Sequence, residues 1–112
     1  MRRKEMIKDK NTFNNIIRKG KFIKDENFVI YYLPNEDNKT KFGIAIKKNI
    51  GKAVVRNKLK RQTRFIMDKY KKKFKNNYNY IIMIREKCLE NGFNSMDKSF
   101  NTLIERINYE KK

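Results

Sequence analysis

Histidine and tryptophan are absent from this sequence, cysteine and proline occur once each, and glycine occurs four times. Without histidine the chain lacks the commonest general base and metal ligand. A lone Cys88 excludes a disulfide framework and any multi-cysteine zinc site, and neither it nor Ser95 and Ser99 has an imidazole to activate it. Gly20, Gly43, Gly51 and Gly92 stand apart, so there is no glycine-rich phosphate loop. Acidic residues number 12 and are scattered, as in Asp25-Glu26, Glu36-Asp37, Glu86 and Glu90, without the convergent spacing of a two-metal nuclease. An autonomous active site is therefore not expected. Apolar residues make up 38% of the chain, below the roughly 45–50% usual for soluble domains. No stretch approaches the ~18 apolar residues of a membrane span. The basic start, Met1-Arg2-Arg3-Lys4, runs into Glu5, Lys8, Asp9 and Lys10 instead of an apolar block. The expectation is a cytoplasmic chain without a membrane partner, its Cys88 reduced.

Positive charge is what the sequence has in excess. Thirty Lys and Arg face twelve Asp and Glu, a formal charge of +18 on 112 residues. Such a body repels itself unless a polyanion neutralises it, and the abundant cellular polyanions are nucleic acids and acidic membrane surfaces. By the same reasoning the free chain is expected to need anions to fold fully.

The hydrophobic pattern predicts one domain over residues 1–112, with flexible ends at about 1–8 and 109–112. Phe13, Ile16 and Ile17 form an i, i+3, i+4 stripe for a short helix, capped by Asn11 or Thr12 and stopped at Gly20. Lys21-Phe22-Ile23-Lys24, the run from Asn27 to Leu33, and the run from Lys41 to Lys47 read as strands, with a turn at Pro34-Asn35-Glu36-Asp37-Asn38. Tyr80-Ile81-Ile82-Met83-Ile84 is nearly all apolar, as in a strand covered on both faces. Phe100, Leu103, Ile104 and Ile107 repeat at helical spacing after Ser95. Between the third and fourth strands, Val55, Leu59, Ile66 and Tyr70 share a narrow helical sector that packs on a sheet. The fold class is thus α/β, an α+β sandwich of order α-β-β-β-α-β-α.

The segment from Lys47 to Lys75 carries thirteen basic residues against one acid, Asp68. Solvated helix faces normally mix signs and gain from Glu–Lys pairs; this one is almost unmixed, which favours a phosphate-binding surface. Arg56, Lys60 and Arg64 stack at i, i+4, i+8, with Asn57 and Arg61 in a second row beside them. Arginine at 56, 61 and 64 in a lysine-dominated chain suits bidentate phosphate contact and base stacking. On the second strand, alternation separates Val29, Tyr31 and Leu33 from Phe28, Ile30 and Tyr32. One face should be core, and part of the other can offer rings to unpaired bases.

These residues resemble a known signature. The stretch from Ile46 to Arg64, with Lys residues at a strand end, Gly51-Lys52-Ala53-Val54, then Arg56-Asn57-x-x-Lys60-Arg61-x-x-Arg64 on a helix, is similar to that of the bacterial ribonuclease P protein component. Phe13 to Gly20, Phe28-Val29-Ile30-Tyr31, Phe42-Gly43-Ile44-Ala45-Ile46 and Tyr80-Ile81-Ile82 extend the likeness over about residues 8 to 107. The resemblance implies a sandwich like domain 2 of ribosomal protein S5, with a left-handed crossover through the Arg-rich helix. It implies two partners, a large catalytic RNA and the single-stranded 5′ leader of precursor tRNA. It places catalysis and its Mg²⁺ requirement in the RNA holoenzyme, with no cofactor on the protein alone and no obligate protein partner. Carried over by position, Lys48, Lys52, Arg56, Asn57, Lys60, Arg61 and Arg64 are the RNA-binding candidates, and Phe13, Ile17 and Tyr31 those of a leader cleft. No residue is carried over as catalytic or as a metal ligand. The chain departs from the pattern at Ile17, where the family often has an aromatic, and Lys47, Asn49 and Lys52 replace commoner Ser, Lys and Asn. The competing readings are a ribosomal-type rRNA-binding protein without a role in cleavage, and a metal-dependent nuclease acting alone.

Overall fold

The computed structural model describes residues 5–107 and 109. Its elements follow the expected order: α1 (Lys10–Lys19), β1 (Lys21–Lys24), β2 (Phe28–Pro34), β3 (Lys41–Ile46), α2 (Ala53–Lys69), β4 (Tyr78–Ile84) and α3 (Cys88–Arg106), with a short 3-10 turn at Lys71–Lys73 before β4. One four-stranded sheet has the order β1-β2-β4-β3. β1 and β2 are antiparallel, as are β2 and β4, while β3 lies parallel to β4 with Lys41 opposite Asn79 and Ile46 opposite Ile84. The parallel pair requires a long crossover, and α2 supplies it.

The strands' period of two divides the sheet into two faces. Phe28, Ile30, Tyr32, Phe42, Tyr80, Ile82 and Ile84 join Leu59, Ile66 and Met67 of α2 and Met96, Phe100, Leu103 and Ile104 of α3 in one buried cluster. Ile81 points to the other face, where α1 packs against β2 and β4. Phe13 seats α1 there on the bare backbone of Gly43: a Cβ at that glycine would stand 2.8 Å from the Phe13 ring and 2.7 Å from Ile81 Cδ1. The mixed α+β fold is thus a sheet with one helix on one face and two on the other.

Several boundaries differ from the sequence expectation for identifiable reasons. The cap of α1 is Asp9, not Asn11 or Thr12; its carboxylate accepts from the Asn11 amide at 3.2 Å, the Thr12 amide at 3.3 Å and the Thr12 hydroxyl at 2.8 Å. The Thr12 hydroxyl and then the Asn11 amide hold that carboxyl below its ordinary range. Gly20 ends α1 at φ −74°, not in the left-handed cap conformation. It is needed for space, since a Cβ would lie 2.5 Å from Ile16 O and 2.9 Å from Tyr32 O. α3 begins at Cys88, well before Ser95, as two helical segments joined at Gly92, whose φ of 78° interrupts the helical backbone. The join is held by Asn27, 1% exposed, whose side chain donates to Ser95 Oγ at 3.1 Å and accepts from Asn91 Nδ2 at 2.9 Å. β4 starts at Tyr78, two residues earlier than expected.

Of the ends expected to be flexible, residues 1–4 and 110–112 lie outside those described. Met6 bridges to Phe42, and the Ile7 amide donates to Phe42 O at 2.7 Å. Tyr109 packs edge-on to Tyr78 with ring centroids 5.0 Å apart, its hydroxyl 2.8 Å from that of Tyr80.

Candidate nucleic-acid interface

α2 begins where β3 ends, and the loop between them, residues 47–52, is shaped by two features. Gly51 takes φ 67°, and the Arg56 side chain reaches back so that Nη1 donates to Lys48 O and Gly51 O, each at 2.8 Å. Arg56 therefore braces the loop that presents Lys48 and Lys52, while its Nε and Nη2 make no bond to any described residue. Leu59, Thr63, Ile66 and Met67 face the sheet. Buried Thr63 stays compatible with that face because its hydroxyl returns to Leu59 O at 2.8 Å.

The opposite side of α2 holds the predicted residues. Asn57, Arg61 and Arg64 are exposed, Arg56 and Lys60 half-buried, and Lys48 and Lys52 exposed on the loop. Lys58, outside the signature positions, is exposed among them. None of Lys48, Lys52, Arg56, Lys58, Lys60, Arg61 and Arg64 forms an ion pair with a described residue. The positive pole of the helix lies at the same end, so loop, side chains and backbone amides all favour an anion there.

Beyond Arg64 the charge is organised differently. Lys69 pairs with Asp97 at 2.8 Å, Lys71 with Glu5, and Lys73 with Glu105 at 3.1 Å while also donating to Asn101 Oδ1 at 2.6 Å. Tyr70 donates its hydroxyl to the same Asp97. The Lys69 ammonium and then the Tyr70 hydroxyl hold the Asp97 carboxyl below its usual range. The basic run read as one surface is thus divided. Its first half meets no carboxylate among the described residues, and three lysines of its second half bind α2 and the following turn to α3 and the N-terminal segment.

The three cleft candidates lie on the α1 side of the sheet, and the groove that Tyr31 lines is not walled by Phe13 or Ile17. Phe13 and Ile17 stand one turn apart on α1, both half-buried. Tyr31 on β2 lines a groove of about 460 Å³ whose walls include Phe22, Val29, Met83, Lys24, Lys47 and Arg85. Phe22 is the register partner of Tyr31, with ring centroids 5.9 Å apart and 56% of its surface exposed. Sequence reasoning did not single out Phe22, Lys24 or Arg85 as site residues. Alternation on β1 carries the signal for Phe22 once the hairpin register is known, whereas the place of Arg85 depends on the tertiary fold. The Arg85 guanidinium is anchored by donation to Asp25 O at 2.7 Å.

This arrangement can bind a polyanion along α2 and an unpaired strand beside an aromatic pair rimmed by Lys24, Lys47 and Arg85 against one carboxylate, Glu86. Among the described residues no three His, Cys, Asp or Glu side chains converge in a way that could hold a metal ion. Comparison with known proteins identifies the family. The ribonuclease P family model matches residues 1–108. The ribonuclease P protein component of Mesoplasma florum is 37% identical over 108 residues, covering 96% of this chain and 98% of its own length. That of Mycoplasma capricolum subsp. capricolum is 39% identical, covering 96% and 99%. The solved ribonuclease P protein of Thermotoga maritima superposes with a TM-score of 0.82 at 28% identity, over 94% of this chain and 99% of that one. The family model spans nearly the whole chain and these relatives align with it almost end to end, so the chain belongs to the bacterial ribonuclease P protein family.

Proposed function

We propose that this chain is the protein subunit of a ribonuclease P ribonucleoprotein and acts in maturation of the tRNA 5′ end. It binds the catalytic RNA through the loop 47–52 and the first half of α2. It receives the 5′ leader of precursor tRNA on the α1 side of the sheet, where Tyr31 lines a groove and Phe13 and Ile17 border the same face. The observation that carries this reading is the charge of Lys48, Lys52, Arg56, Lys58, Lys60, Arg61 and Arg64 along α2 and the loop before it, paired with no carboxylate among the described residues.

Catalytic RNA and substrate are both polyanions and repel each other. A basic subunit between them lowers that repulsion and so the Mg²⁺ the assembly needs. A leader has no fixed sequence, so ring stacking and phosphate contacts suit it better than base-edge hydrogen bonds. Bond cleavage belongs to the RNA in this reading, and no step is routed through a metal ion held by this chain. The test is precursor-tRNA cleavage at low Mg²⁺ with bacterial ribonuclease P RNA alone, protein alone, and both. A correct 5′ cut in the mixture alone is expected. Cleavage by protein alone, or no stimulation of a cognate RNA, would overturn the reading.

A further inference from the structure

Two phenylalanines outside the family signature meet on the surface next to the basic rows. Phe65 lies on α2 and is 62% exposed. Phe93 is the first residue after the Gly92 kink of α3. Their ring centroids are 5.9 Å apart at an interplanar angle of 53°. With Lys58, Arg61 and Gln62 they line a shallow groove of about 510 Å³. Sites of ~300–1,000 Å³ enclose drug-sized molecules, so a single nucleobase has ample room.

We propose that this groove is a stacking site for an unpaired nucleobase of the RNA bound along α2. The inference rests on the reading of the chain as an RNA-binding subunit and names the contact that the signature residues do not make. Its chemistry fits that occupant. Phe65 and Phe93 supply aromatic faces that accept any base. Lys58 and Arg61 stand seven and four positions before Phe65 on the same side of the helix, one or two turns away, where phosphates flanking a stacked base would lie. Arg61 belongs to both surfaces, so the groove continues the basic face. A second copy of this chain, at +18, is repelled from the rim, as is any basic partner.

The absence of tryptophan makes the test direct, because Phe65→Trp creates a sole indole emitter. The full chain is titrated with bacterial ribonuclease P RNA and, separately, with inorganic polyphosphate, a polyanion without bases. Phe65→Leu keeps an apolar side chain but no ring. It is expected to weaken RNA binding about tenfold while leaving polyphosphate binding unchanged. Phe65→Trp is expected to retain the affinity for RNA, with emission quenched by RNA and not by polyphosphate. RNA binding by Phe65→Leu equal to that of the unaltered chain, or an indole equally bright with and without RNA, would overturn the stacking site. Equal quenching by polyphosphate would do the same, reducing the contact to electrostatics. Failure of the unaltered chain to bind RNA would instead defeat the subunit reading on which the site depends.

Discussion

The division of the basic run into uncompensated and paired halves predicts how RNA binding responds to salt. Seven cations, Lys48, Lys52, Arg56, Lys58, Lys60, Arg61 and Arg64, have no carboxylate partner among the described residues. If each meets one phosphate of helical RNA and releases about 0.9 counterion, log K falls against log salt with a slope of about −6. A doubling of salt then weakens binding roughly sixtyfold. Arg61→Ala removes one such contact and should reduce the slope to about −5. Lys69→Ala removes a cation already paired with Asp97 at 2.8 Å and should leave the slope unchanged. The assay is equilibrium binding of labelled ribonuclease P RNA across a potassium chloride series at fixed Mg²⁺. A slope near −2, or equal reductions for Arg61→Ala and Lys69→Ala, would refute the assignment of binding to the first half of α2.

Other outcomes follow from the packing. Gly20→Ala places a Cβ against two backbone carbonyls and should cost about 1–3 kcal/mol, measured as a lower urea midpoint; an unchanged midpoint would mean α1 can shift freely. Burial pushes the Cys88 thiol up to about 12, so a thiol-reactive probe at pH 8 should label the native chain on the order of a thousandfold more slowly than the urea-unfolded one. Asp97 is held below its ordinary value of 3.8, so its contribution to stability is present above that value and lost as pH falls through the lowered one. Urea midpoints from pH 7 down to about 3 should therefore fall less steeply for Asp97→Asn than for the unaltered chain. Finally, the charge of +18 predicts a gain of circular dichroism signal when sulfate is added to the chain in dilute buffer. No gain would show that the sheet and its helices withstand that repulsion unaided.

The element order and the two-faced sheet were legible because each depends on local periodicity, in the strands from Phe28, Lys41 and Tyr80 and in the helix through Leu59 and Ile66. The start of α3 was not: Leu89, Phe93 and Met96 continue the helical spacing of the later stripe, but Ser95 is itself a suitable cap, and the helical turn before Gly92 joins the rest only through the φ of 78° at that glycine. Asp9 was passed over as a cap because Asn11 and Thr12 lie closer to the apolar stripe and have equally suitable side chains. In the site, the spacing of Arg56, Lys60 and Arg64 already placed them in one row. Counting charge along the segment could not reveal that Lys69 and Lys73 meet Asp97 and Glu105, because those partners lie 28 and 32 residues away. Nor could it show that Arg56 braces its own loop, since that bond depends on the turn at Gly51. The meeting of Phe65 and Phe93 had no sequence signal, because it depends on how α2 and α3 pack.

The strand order β1-β2-β4-β3 also governs when the fold can close during synthesis. β4 is the last strand to leave the ribosome, yet it occupies an inner position with β2 on one side and β3 on the other. Until residues 78–84 emerge, β3 has no strand to pair with and α2 has only part of its apolar support. The N-terminal hairpin can form early, but the signature helix is already outside the tunnel while the sheet beneath it is incomplete. The nascent chain thus exposes its most basic segment before it has a tertiary structure, at the surface of a machine built largely of RNA. Emergence of β4, and then of α3 with Met96, Phe100 and Leu103, completes the core beneath the signature helix.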